Sequence, residues 1–123
     1  MSNVPLPPAW PAEVRPPGSP DWERSATAWL FDQCPADYRG YDVLRRHPVV
    51  LARFAATALD AAVAAAEAGL RTVRVELRDR LAPEVIESAA AAYEQEKHRL
   101  RGARHAVDLV ERALRGERWV PRL

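Results

Sequence analysis

Residues 59–80 read LDAAVAAAEAGLRTVRVELRDR, and the fold turns on whether the chain stays helical through Gly69. One reading ends a helix at the glycine and makes 72–78 (TVRVELR) a strand, because its apolar residues alternate. The other carries one helix through to about Arg80. Leu59, Val63, Ala66, Leu70, Val73 and Leu77 keep a 4-3-4-3-4 spacing across the glycine, which is the pattern of a helix seam. Glu67–Arg71 and Glu76–Arg80 are i,i+4 pairs in the favourable orientation. No other segment offers a partner strand, and a lone strand leaves its amides unpaired. A glycine inside a helix costs about 1 kcal/mol, which a long packed seam outweighs. The spacing therefore predicts one helix over 48–81.

Upstream, His47-Pro48 starts this helix with proline at a position where no amide donor is needed. Its first half is apolar over a wide arc: Val50, Leu51, Phe54, Ala55, Ala58, Leu59, Ala62 and Val63. Such a helix needs cover on more than one side. Downstream, Ala82-Pro83-Glu84 starts a second helix by the same proline logic. Ile86, Tyr93, Leu100, Val107 and Leu114 then recur every seven residues, with Ala89, Ala103 and Val110 as companions and Glu96 a polar interruption. Asp108–Arg112 and Glu111–Arg115 add surface pairs, Gly102 falls off the seam, and Gly116 is the natural stop. Helices over 48–81 and 83–116, joined by a short hinge, form an antiparallel hairpin about 50 Å long. In it 70–81 face 83–97, and 48–66 face 100–114.

Residues 19–34 read as a shorter first helix. Ser19 serves as cap, Pro20 takes the first position, and Trp22, Ala26, Trp29 and Leu30 share one face. Residues 37–46 read as a turn and short helix, with Tyr38, Tyr41 and Leu44 packing inward. Residues 1–18 are proline-rich; seven of the 11 prolines lie in the first 20 residues. They read either as an extended arm anchored on the body by Trp10 and Val14, or as a polyproline ligand for an aromatic groove. The tail, 117–123, brings Trp119, Val120 and Leu123 within reach of the body. The expected fold class is all-α, a single domain: a long antiparallel helical hairpin with a shorter N-terminal helix and a proline-rich arm packed on one end.

A chain of 123 residues with 48% hydrophobic content has enough apolar surface for a core. Its net charge of +1 is nearly balanced along the chain: residues 1–47 hold five Arg against six acids, 48–81 five against four, and 82–123 eight basic residues against seven. A dedicated nucleic-acid binder shows a basic face instead. The single Cys34 excludes an intramolecular disulfide and fits a reducing compartment. No signal-type apolar run follows the start, and the Ala-rich stretch 54–70 carries Asp60 and Glu67, a poor membrane span. These features predict a cytoplasmic protein without membrane attachment.

No Gly-rich phosphate loop, CxxC, HExxH or GxSxG occurs. His98 and His105 are two helical turns apart, and Glu94–His98 at i,i+4 is only half of a helical metal site. Cys34 beside Pro35 reads as a packed helix end, and Asp32, Asp37 and Asp42 as turn and cap residues. The expectation is therefore no catalytic, cofactor-binding or metal-binding residue, no cofactor, and no enzymatic activity. Two basic clusters are candidate anion contacts: Arg45, Arg46 and Arg53, and Lys97, Arg101 and Arg104. The other candidate surface lies at the hairpin tip, where Val75 and Val85 fall off the seam and Ala82, Ala89 and Ala92 extend a second apolar stripe. Two-fold pairing of such arms gives a four-helix, coiled-coil-like homodimer.

The string WPAEVRPPGSPDWERSATAWLFDQCPADYRGYDVLRRHPVVLARFAA (residues 10–56), followed by an Ala/Arg-rich hairpin, resembles small uncharacterised helical proteins of high-GC actinobacteria. The resemblance implies no activity and supplies no functional residues. The leading expectation is a non-enzymatic protein–protein interaction or scaffold module that self-associates through the hairpin arm. The alternative is a nucleic-acid-associated or regulatory protein using the two basic clusters.

Overall fold

The computed structural model describes residues 5–122, and the regular elements among them are all helical. They are α1 (Trp22–Asp32), a 3-10 turn (Ala36–Gly40), the single-turn α2 (Asp42–Arg46), α3 (Pro48–Leu77) and α4 (Pro83–Leu114). The protein is all-α, and α3 runs unbroken through Gly69. A Cβ on Gly69 would clash with the hydroxyl-bearing edge of the Tyr93 ring of α4. The glycine is therefore where an aromatic ring crosses the face of α3, and its propensity cost is tied to that close approach.

Prolines set the starts of both long helices, after residues held outside the helical region (His47 φ −130°, ψ 88°; Ala82 φ −65°, ψ 147°). α3 ends at Leu77 rather than 81; Arg78 is still in the helical region, and the Arg80 and Leu81 amides both donate to the Leu77 carbonyl in the turn that leads to the extended Ala82. At the other end α4 stops at Leu114. Gly116 takes a left-handed φ of 90°, the Glu117 amide donates to the Arg112 carbonyl and the Gly116 amide to that of Ala113. This is the Schellman arrangement.

The first helix begins at Trp22, three residues later than the cap reading of Ser19. Ser19 turns its hydroxyl back to the Pro16 carbonyl. Ser19-Pro20-Asp21-Trp22 form a turn closed by the Trp22 amide on the Ser19 carbonyl, with Asp21 at φ −106°, ψ 16°. Proline at the second turn position and this geometry at the third define a type I turn. The segment before it is a succession of turns rather than an extended strip. Pro7–Trp10 and Pro16–Ser19 each place proline second and a positive φ third (Ala9 73°, Gly18 90°), as type II turns require. Val14 is buried in the core, and the Trp10 indole donates to its carbonyl while its ring packs on Trp22.

α3 and α4 lie along each other in opposite directions, with Arg53 beside Glu111 and Arg74 beside Glu87. The predicted α3 seam is the contact: Leu59, Ala66 and Val73 are buried, and Val63, Leu70 and Leu77 half-buried. The main core sits at one end, where Ala26, Trp29, Leu30 and Phe31 of α1 and Leu44 of α2 close over Leu51, Ala55, Leu59, Leu100, Val107 and Val110. Beyond Ala66 and Leu100 the buried hydrophobic residues are Val73, Ile86 and Ala90.

Four packing expectations need correction. Tyr41 is exposed, because it reaches sideways to the edge of Tyr38 rather than inward. Phe54 is 41% exposed and meets Tyr38 edge-on. On α4 the companions of the seven-residue row between Pro83 and Leu100 are Ala90 and Lys97, one position later than Ala89 and Glu96, whereas past Leu100 Val110 is fully buried and Ala103 packs on the core as expected, with Arg104 and Glu111 beside them. A seven-residue row accepts a companion three or four residues on, and here long stems cover the seam while their charged heads find partners at its rim. The tail does not seal the body: Val120 is exposed, and Leu123 lies outside the described residues.

Candidate functional site

The two flanks of the α3–α4 pair differ in chemistry. Along one runs a ladder of ion pairs: Arg53–Glu111 (2.8 Å), Asp60–Arg104 (2.9 Å), Glu67–Arg101 (2.7 Å) and Arg74–Glu87 (2.7 Å). The α3 members recur every seven residues with signs plus, minus, minus, plus, and α4 answers with the complement. A slip of one heptad either way brings like charges together, Arg53 against Arg104 or Asp60 against Glu111. The ladder thus specifies register, as edge charges do in coiled coils. It is legible in the sequence as a seven-residue repeat of charge, a signal overlooked when Asp60 and Glu67 are read singly as solvated.

Glu111 differs from the rest of the ladder. It is the buried charged residue among those described, at 6% exposure. One carboxylate oxygen accepts from Nε and Nη2 of Arg53, and the other from Arg115. Both guanidiniums remain half in water, so the carboxylate alone is desolvated.

The ladder and its neighbours account for most candidate anion contacts. Arg53, Arg101 and Arg104 face carboxylates across the pair, Lys97 meets Glu94 at 3.1 Å, and Arg45 holds Asp42 and the Arg39 carbonyl. Arg46 makes no ion pair among the described residues. The two clusters do not converge: Arg53 is level with Glu111, whereas Arg101 is level with Glu67, two turns or more along. The expected Glu67–Arg71 pair is replaced by Glu67–Arg101, which leaves Arg71 exposed without an ion pair among the described residues.

On the opposite flank of α4 lie the rows 82, 89, 96, 103, 110 and 85, 92, 99, 106, 113. At one end Ala103, Ala106 and Val110 pack into the core under α1. At the other, Val85 (49% exposed), Ala82 and Ala92 are open and Ala89 is half-buried. An exposed Glu96–Arg99 pair divides the two stretches. Val75 (64% exposed) is not on this flank. It lies two residues from both Val73 and Leu77, about 200° round the helix from each, so it points away from the seam on the outer face of α3.

No group of three His, Cys, Asp or Glu among the described residues is placed to hold a metal ion. Burial pushes the Cys34 thiol up, against a smaller opposing effect of Arg39, so the sulfur is held in its less nucleophilic form. An open cleft of about 810 Å³ separates the proline-rich segment from the tail, between Trp10 and Trp119. α3 is long and apolar enough to cross a membrane by length and composition, yet its Asp60 and Glu67 are committed to arginines of α4. No known family, curated protein or solved structure matches this chain.

Proposed function

We propose that this chain is a non-enzymatic interaction module, in which α3 and α4 form a hairpin anchored at one end by α1 and the proline-rich segment, and self-associating through the arm at the other. The observation that carries the reading is the set of exposed apolar side chains at that end: Val75, Leu81 and Val85 stand on a two-helix arm with no third element over it among the described residues. Apolar groups left exposed on such an arm favour burial against a partner. The ion-paired state of five of the six candidate anion contacts favours this reading over the nucleic-acid alternative, since a paired arginine releases less counterion on meeting a phosphate.

Sedimentation equilibrium of the full chain tests the proposal. The expected result is a dimer that dissociates when Val75→Glu and Val85→Glu are combined, with helicity by circular dichroism retained. A wild-type chain that stays monomeric up to millimolar concentration sinks it.

A further inference from the structure

We infer that the self-association proceeds by exchange of α4: the hairpin opens at its hinge, and α4 of each copy packs on α3 of the other in the register it holds within one chain. The inference rests on the self-association reading and names the surface that carries it, which is the α3–α4 interface itself.

Among the described residues, α4 is held by α3 along its length and by α1 beside the anchored end. Its two fastenings to α3 are the buried seam and the ion-pair ladder. Both fix one register, and both are indifferent to which copy supplies α3. Arg74–Glu87 and Glu67–Arg101 form as well between two chains as within one. An exchanged dimer therefore keeps the contacts of the closed hairpin outside the hinge, which makes exchange of an identical element an undemanding route to a dimer.

The hinge suits two states. The Glu76–Arg80 spacing favours helix across Leu77, where the closed hairpin ends α3 and leaves Arg80 in a turn. The missing turn is already half made. Arg78 is helical (φ −57°, ψ −30°), and the Leu81 amide donates to the Leu77 carbonyl at 3.2 Å, the i→i−4 bond of an α-helix. Opening the hairpin lets α3 complete this turn and brings Arg80 beneath Glu76. Arg53 and Glu111 lie equally far along the chain from Ala82, as do Asp60 and Arg104. Exchange in that register sets α3 of each copy end to end with its own α4 and puts the two-fold axis at Ala82, where the side chain is only a methyl group. Pro83 bars a straight helix there, so the junction bends. The exposed Leu81 of each copy is gathered at this junction, with Val75 and Val85 within two turns of it.

Charge reversal on opposite helices tests the exchange. One chain carries Asp60→Arg, Glu67→Arg and Arg74→Glu on α3; the other carries Glu87→Arg, Arg101→Glu and Arg104→Glu on α4. Each alone sets like charges on three rungs and should melt below the wild type. Refolded together, they can match every rung only by exchanging α4, so the mixture should form a heterodimer whose melting midpoint returns to the wild-type value. A dimer that joins two closed hairpins leaves the mismatches within each chain and recovers nothing. Small-angle scattering of the wild-type dimer provides the second measurement: the exchanged form is a rod about 100 Å long, against about 50 Å for one hairpin. A mixture that melts as the sum of its parts, or a wild-type dimer no longer than one hairpin, overturns the exchange while leaving self-association standing. A wild-type chain that stays monomeric up to millimolar concentration overturns both.

Discussion

Two guanidinium–carboxylate contacts, one near each end of the α3–α4 pair, use the same two arginine nitrogens, converging on one oxygen of Glu111 but taking one oxygen each of Glu87. Arg53 gives Nε and Nη2 to Glu111 at 3.0 and 2.8 Å, and Arg74 gives the same nitrogens to Glu87 at 2.7 and 2.9 Å. Their surroundings differ. The Glu111 side chain is 8% exposed beneath the anchored end, whereas that of Glu87 is 60% exposed on the bare arm. Hydrogen-bond length therefore says little about what each contact contributes. At the arm, water can replace either partner at small cost; under the core, the carboxylate has nowhere else to go. The same contrast runs through the whole pair: one end is a three-sided core, and the other is two helices joined by a seam and a ladder.

The sharpest way to break this comparison is to remove the cations at each end. Arg53→Ala combined with Arg115→Ala leaves the Glu111 carboxylate buried without a partner and should cost about 3–5 kcal/mol, whereas Arg74→Ala, at a solvent-screened surface pair, should leave the unfolding midpoint almost unmoved. Urea unfolding midpoints would show both, and equal losses at the two ends would refute the distinction. The second test concerns the two glycines inside helices. Nothing stands near a Cβ at Gly102, so Gly102→Ala should stabilise by about 1 kcal/mol. Gly69→Ala should instead destabilise by ~1 kcal/mol, because displacing the Tyr93 ring outweighs the gain in helix propensity. In a Tyr93→Ala background its sign should reverse, and a Gly69→Ala effect independent of Tyr93 would discount the ring crossing.

The smallest effect is electrostatic and confined to exposed groups. Hydrogen bonds from Arg74 and from Arg99 hold Glu87 and Glu96 below the ordinary carboxyl value of 4.5. For a group so lowered, the stabilisation is present above the unfolded value and is lost as pH falls through the folded one. The arm should therefore keep both contacts at neutral pH and loosen only in acid. Carbon-detected titration should find both carboxyls low, with Arg74→Ala returning Glu87 alone and Arg99→Ala returning Glu96 alone.

Periodicity and punctuation made much of the fold legible. Leu59 through Leu77 keep their spacing across Gly69, so continuity of α3 could be read before any contact was known. Pro48, Pro83 and Gly116 mark helix ends because proline and left-handed glycine act on local backbone geometry. Ser19 misled for a local reason too: Ser-Pro-Asp suits a type I turn as well as a cap, and nothing within those residues chooses. The candidate surface was less legible. Val75 and Val85 both stand out as apolar residues off the seam, yet they lie on different faces of different helices, which only the mutual rotation of α3 and α4 decides.

What the sequence by itself determined is which residues of one helix share a face, since that follows from 3.6 residues per turn. It determined the two long helices, their starts at Pro48 and Pro83, the stop before Gly116 and the four evenly spaced charges of α3. What only the tertiary structure decided is what stands opposite each face: the shift of the α4 companions to Ala90 and Lys97, the pairing of basic residues that alone suggest an anion site, and the ring that explains Gly69. The physical reason is that periodicity is a property of one helix, whereas burial and charge neutralisation belong to pairs of helices and depend on their rotation and register.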